Sequence, residues 1–284
     1  MSACEPKSAR DAGAVADEPS GVPRSWWRSC LVFLGFCGLA LIWTLPAWRN
    51  PFHSWSGMVG DPIAAMWLLA WTPHAITHGL NPLYTTLLNF PVGVNLAWNP
   101  TAPLLGLLSW PALLVGGPIL QYNAALTFGV AATAWAGYLA ACLRVRRRWL
   151  AVLGGLLFGM SPYVVGQALS HPALAVVPGV PLVAVAVEQA WFRHTWGPVR
   201  AGAALAGAVL VVLLVSEEVF GSMLIAGGLV LLGCGWTWRA SWRLWLPRVL
   251  RTSAVAALLV APVLVGLLVV QFGWPGRILG QPLP

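Results

Sequence analysis

Runs of about 20 apolar residues recur along this chain with short arginine clusters between them, and that alternation leaves few ways to fold. An apolar helix of that length crosses the hydrocarbon core of a bilayer and satisfies its own backbone polar groups on the way. Seven segments fit: 29–48, 122–143, 149–168, 172–191, 199–215, 219–236 and 252–271. Only 8% of the 284 residues are charged and 58% are apolar, too few charges to cover a water-soluble globule of this size. The 18 Trp and 23 Pro agree, because Trp favours membrane interfaces and Pro is tolerated in spanning helices. The sequence predicts an all-α, polytopic transmembrane helical bundle.

A formal net charge of +8 invites a nucleic-acid reading, but the basic residues are short clusters between apolar runs and form no aromatic-interleaved patch. Nucleic acid is therefore not an expected partner. Cys4, Cys30, Cys37, Cys142 and Cys234 include no CxxC pair and imply neither a disulfide framework nor a metal knuckle. Residues 1–23 mix small residues with both charge signs without periodicity, the pattern of a disordered tail. The run 31–48 is longer than a secretory h-region and is followed by further spans, so it reads as a retained first span.

Orientation follows from the cations. With the N-terminus inside and the seven segments crossing in turn, 14 of the 16 Lys and Arg lie inside, leaving only Arg49 and Arg277 outside. The protein is then a multi-pass component of a plasma (inner) membrane with a cytoplasmic N-terminus. Residues 101–120 are apolar enough to span, yet a net crossing there would move every later Arg cluster outside. Pro103, Pro111, Gly116, Gly117 and Pro118 make a re-entrant or interfacial helix the better expectation. Residues 49–121 then form one long outer loop, and 271–284 begin another. If 62–79 and 101–120 both cross, the later orientation is kept and the spans number nine.

In the outer loop, Asp61 and Pro62 open a helix running to about His78, with Trp67, Trp71, His74 and His78 on one stripe suited to the headgroup level. Asp61 is the only acidic residue of that loop. It is a candidate general base, and equally a helix N-cap. The i, i+4 pair His74 and His78 suits a metal, although Asp61 lies some 20 Å along the helix from His74 at about 1.5 Å per residue.

Other polar groups fall at the outer ends of later spans. Ser161 and Tyr163 lie within the third span, and Ser170 and His171 at its outer turn, where His171 either donates to a phosphate or caps the turn before Pro172. Glu217 and Glu218 follow the fifth span, as functional carboxylates or as groups solvated in the headgroup zone. Arg277, after the seventh span, suits a lipid phosphate. Glu188 lies at an inner end, near Arg193 and His194, and reads as snorkelling toward them. A base, a cationic clamp and an interfacial groove on one face fit chemistry on a lipid whose head carries phosphate.

This layout resembles the GT-C superfamily of membrane glycosyltransferases, which use polyprenyl-phosphate sugars at the extracytoplasmic face. The likeness rests on a first span entering a long outer loop with an acid near its start (Asp61 in WSGMVGDP), a second span ending in a basic inner turn (RVRRR), and a small-residue third span ending in Ser-Pro-aromatic (AVLGGLLFGMSPYVVGQALSH). It covers 24–284 as one transmembrane module. It departs where members carry two neighbouring acids in the first loop, and where His171 stands in place of an acid. The resemblance implies an inverting transfer from a polyprenyl-phosphate-linked sugar to a glycan, lipid or protein acceptor. Asp61 would be the catalytic base, and His171, Glu217, Glu218 and Arg277 would be substrate-binding. A divalent cation at Asp61 is compatible with the resemblance, though the sequence offers no ligand set for one.

Two other expectations stay open. A transporter or flippase of a lipid-linked substrate also needs an outer cavity, but no inverted repeat and no charge at a span centre is present. A noncatalytic membrane subunit, or a fragment of a larger enzyme, fits the end at QPLP.

Overall fold

The computed structural model describes residues 26–193, 195–237 and 242–273. The tail 1–23, His194 and Arg277 lie outside them. Most of the described chain is helical, and its only strands among the described residues are one antiparallel pair, β1 (Tyr84–Thr85) and β2 (Val94–Asn95). Among the described residues six helices are long and apolar enough to cross a membrane, and seven are if one bent pair counts as a single span.

The helices are α1 (Trp26–Trp43), α2 (Leu45–Trp48), α3 (Asp61–Thr77), α4 (Pro103–Leu108), α5 (Trp110–Cys142), α6 (Arg148–Gly159), α7 (Pro162–Ala168), α8 (Pro172–Ala175) and α9 (Gly179–Val187). A π-turn at Glu188–Phe192 extends α9, and α10 (Pro198–Val215), α11 (Glu217–Thr237) and α12 (Trp242–Gly273) follow. The expected segment 149–168 is the bent pair α6 and α7, angled at 44°. Its break is the Ser-Pro dipeptide: Ser161 Oγ caps α7 by accepting from the Val164 amide, and Pro162 takes the first helical position. The seventh segment starts ten residues earlier than its apolar run, because the basic stretch before Thr252 continues the helix through Pro247.

Residues 101–120 form no straight helix of spanning length. The six-residue α4 ends at Ser109, and α5 is broken six residues in, where Gly116 and Gly117 leave helical geometry and Gly117 takes a φ of 76°. Each piece is about 9 Å long against a core of about 30 Å.

Beyond the break, α5 is the buried centre of the bundle. Small residues allow its close contacts: a Cβ on Gly155 or Gly159 of α6 would press within 2.6 Å and 2.4 Å of Ala134. The break after α8 is satisfied from α5 too, the Val177 amide donating to Thr133 Oγ1 at 3.0 Å.

Described arginines other than Arg49 gather at one end of the bundle. Glu188, 7% exposed, is held there by Arg144 at 2.6 Å and Arg193 at 3.3 Å. Arg248 of α12 donates to the Ala190 carbonyl and, at 2.7 Å, to that of Trp196. The expected approach of Glu188 to Arg193 is present, with Arg144 added.

Candidate functional site

The opposite end carries the long loop expected outside, tied down by three consecutive polar residues of α5. Pro73 lies inside α3 and has no N–H, so the Leu69 carbonyl lacks its helical donor. Gln121 Nε2 supplies one at 3.1 Å and donates equally to the Gly106 carbonyl. Gly106 has to be glycine, because a Cβ there would sit 2.7 Å from the Leu69 oxygen. Tyr122 Oη donates to Ser56 O at 3.1 Å, and Asn123 Nδ2 to Ser54 O at 2.8 Å. All three side chains are at most 1% exposed. Loop carbonyls next to hydrocarbon need such donors, since water is not there to supply them.

The loop is also joined to the turn that follows α7. The Met58 amide donates to the Leu169 carbonyl at 2.8 Å, and Gly57, with φ 123°, leaves room for the approach. Two sequence-distant side chains meet as a result: His171 Nε2 stands 2.9 Å from Asp61 Oδ2. Asp61 is not a helix cap. Gly60 occupies that position, Asp61 is the first residue of α3, and its carboxylate turns to His171. Nor does the His171 side chain cap α8, although the residue sits at its N-cap position.

Asp61 and His171 line a cavity of about 300 Å³, together with Asn99, Ser170 and Glu218 on a floor of Leu and Ala residues. A second cavity shares Asn99, Pro100 and Glu218 with the first and adds Glu217 and Gln271. A third, almost wholly apolar and about 370 Å³, lies between α4, α5 and α10 and has Leu105 in common with the first. Of the outer-face residues expected from sequence, Asp61, His171 and Glu218 share one chamber, and Glu217 lies in the next.

The aromatic stripe of α3 differs from expectation. Trp67 stacks on Trp71 at 5.4 Å, but Trp71 is 5% exposed and donates to the Pro82 carbonyl, because residues 82–98 fold back over α3. Only His74 and His78 remain exposed, and their rings stack at 4.1 Å, so they face one another and do not converge on a shared ion. Among the described residues no three His, Cys, Asp or Glu side chains come together as a metal site.

Sequence reasoning passed over Gln121, Tyr122, Asn123 and Asn99. The first three were readable: a polar triplet within an apolar run is costly in a membrane and needs partners. No family model, curated protein or solved structure matches this chain.

Proposed function

We propose that this protein is a membrane glycosyltransferase of GT-C type, transferring a sugar from a polyprenyl-phosphate donor to an acceptor at the extracytoplasmic face. The observation that carries the reading is the Asp61–His171 contact at the wall of a cavity that adjoins an apolar chamber. A contact this exposed contributes less than about 1 kcal/mol to stability.

In the proposed reaction the Asp61 carboxylate takes the proton of an acceptor hydroxyl. The oxygen forms a bond to the anomeric carbon, and the bond from that carbon to the phosphate oxygen breaks with its electron pair on polyprenyl phosphate. His171, donating to Oδ2, keeps the other carboxylate oxygen free and oriented. Arg277, by its sequence position, is the proposed clamp for the leaving phosphate. The apolar chamber beside Leu105 suits the lipid chain of the donor. In this reading the membrane is the plasma (inner) membrane, and the N-terminus is cytoplasmic, which the arginines gathered at the far end favour.

The test uses membranes containing the full chain and radiolabelled polyprenyl-phosphate hexoses and pentoses. The parent protein should move label from the lipid to a new product, and Asp61→Asn should not. Equal transfer by both removes Asp61 from the mechanism, and intact donor crossing between leaflets without cleavage assigns the chain to lipid transport.

A further inference from the structure

The second cavity, about 390 Å³, has walls from three parts of the chain: Trp98 and Asn99 of the outer loop, Ser216, Glu217 and Glu218 at the junction of α10 and α11, and Gln271 near the end of α12. Its outer wall is fastened in place. Trp98 Nε1 donates to Gln271 O and Asn95 Nδ2 to Val270 O, both at 2.8 Å, and Trp98 meets Phe272 edge to face at 5.3 Å. The inner wall is fixed by Ser216, 5% exposed, whose Oγ accepts from the Val219 amide and sets both glutamates in the first turn of α11.

Among the described residues Glu217 has neither an ion pair nor a hydrogen bond, although it is half-buried beside Leu264 and Leu267. A carboxylate so placed is costly unless a ligand brings donors to it. Hydroxyl groups do that, each donating one proton, and the amides of Asn99 and Gln271 both donate and accept. A phosphate or carboxylate would meet two carboxyl groups there and no cation, since no described Lys, Arg or His lines this cavity. The Trp98 ring and the leucines add an apolar side suited to the C–H face of a pyranose.

We propose that this second cavity is the acceptor subsite and that it selects a neutral, polyhydroxyl sugar head over a phosphorylated one. The word acceptor rests on the transferase reading; the ligand preference does not. Glu218, lining both chambers, stands where a bound acceptor would pass from this subsite toward Asp61.

The full chain in phosphatidylcholine nanodiscs is titrated with butyl hexosides and with their 6-phosphates, and binding is read by saturation-transfer NMR. The neutral glycosides should bind saturably and the phosphates at least about tenfold more weakly. Glu217→Gln should narrow that gap, and Glu217→Lys should reverse it, a gain that misfolding cannot imitate. Phosphates binding as tightly as their neutral counterparts, a preference unchanged in Glu217→Lys, or no saturable binding of neutral glycosides would each overturn the assignment. Neutral binding without any transfer sinks the transferase reading and leaves this one standing, whereas transfer to phosphorylated acceptors does the opposite.

Discussion

The Met58 amide and the Leu169 carbonyl are joined at 2.8 Å, three residues before Asp61 and two before His171, so one backbone bond sets the separation of two side chains from distant parts of the chain. Gly57 makes the bond available. A Cβ at that position would lie 2.6 Å from the Leu169 oxygen, on a backbone whose φ of 123° already disfavours any side chain. Gly57→Ala should therefore displace the loop at a cost of about 1–3 kcal/mol and part Asp61 from His171. Transfer should fall at least about tenfold with helix content unchanged by circular dichroism. Full activity in this variant would mean that the docked loop does not position the site.

If Asp61 and His171 act as a unit, their substitutions will not add. Asp61→Asn should lower the transfer rate by about 10²–10⁴-fold, the range of a lost general base. His171→Gln alone should cost less, and in the Asp61→Asn background it should cost almost nothing further. Strictly multiplicative losses in this cycle would show two independent roles.

The polar triplet of α5 offers a test of positioning without touching the cavity chemistry. Asn123→Leu leaves the carbonyls of Ser54 and Pro51 without their donor, and Gln121→Leu does the same to Leu69 and Gly106. Each should lower stability by about 1–3 kcal/mol, read as an earlier thermal transition in detergent. Both should reduce kcat more than they change KM for the lipid donor. An equal rise in KM alone would place these residues in donor binding.

Much of this arrangement was legible before any coordinates. Apolar runs of spanning length and arginines on alternate turns set the order of helices, and the Pro and Gly of 101–120 argue against a straight span there, where the helix is in fact broken at Gly116 and Gly117. Asp61, His171, Glu217 and Glu218 were visible as rare charges at span ends. Their grouping was not, because it depends on the Met58–Leu169 bond and on the reach of Gln121, Tyr122 and Asn123, which leave no periodic trace. The N-cap reading of Asp61 failed for a similar reason: local preference favours a cap, and a contact with His171, 110 residues away in sequence, prevails over it.

At the other end of the bundle, Glu188 holds two arginines and has no part in the proposed chemistry. Glu188→Gln leaves Arg193 half-buried without its counter-charge, while Arg144 is 72% exposed and stays solvated. The loss should be about 1–3 kcal/mol, below that for a fully buried pair, and it should appear in thermal unfolding with kcat unchanged.

Orientation can be settled by labelling, because the described arginines other than Arg49 and the Asp61 cavity occupy opposite ends. In a background with all five cysteines replaced, Arg147→Cys sits in the turn between α5 and α6 beside the Arg-rich end, and Asn89→Cys sits on the outer loop. A membrane-impermeant maleimide added to intact cells should label position 89 and should reach position 147 only after permeabilisation. Labelling of 147 in intact cells would invert the protein, place Asp61 and His171 in the cytoplasm, and remove the proposed extracytoplasmic donor from reach of the site.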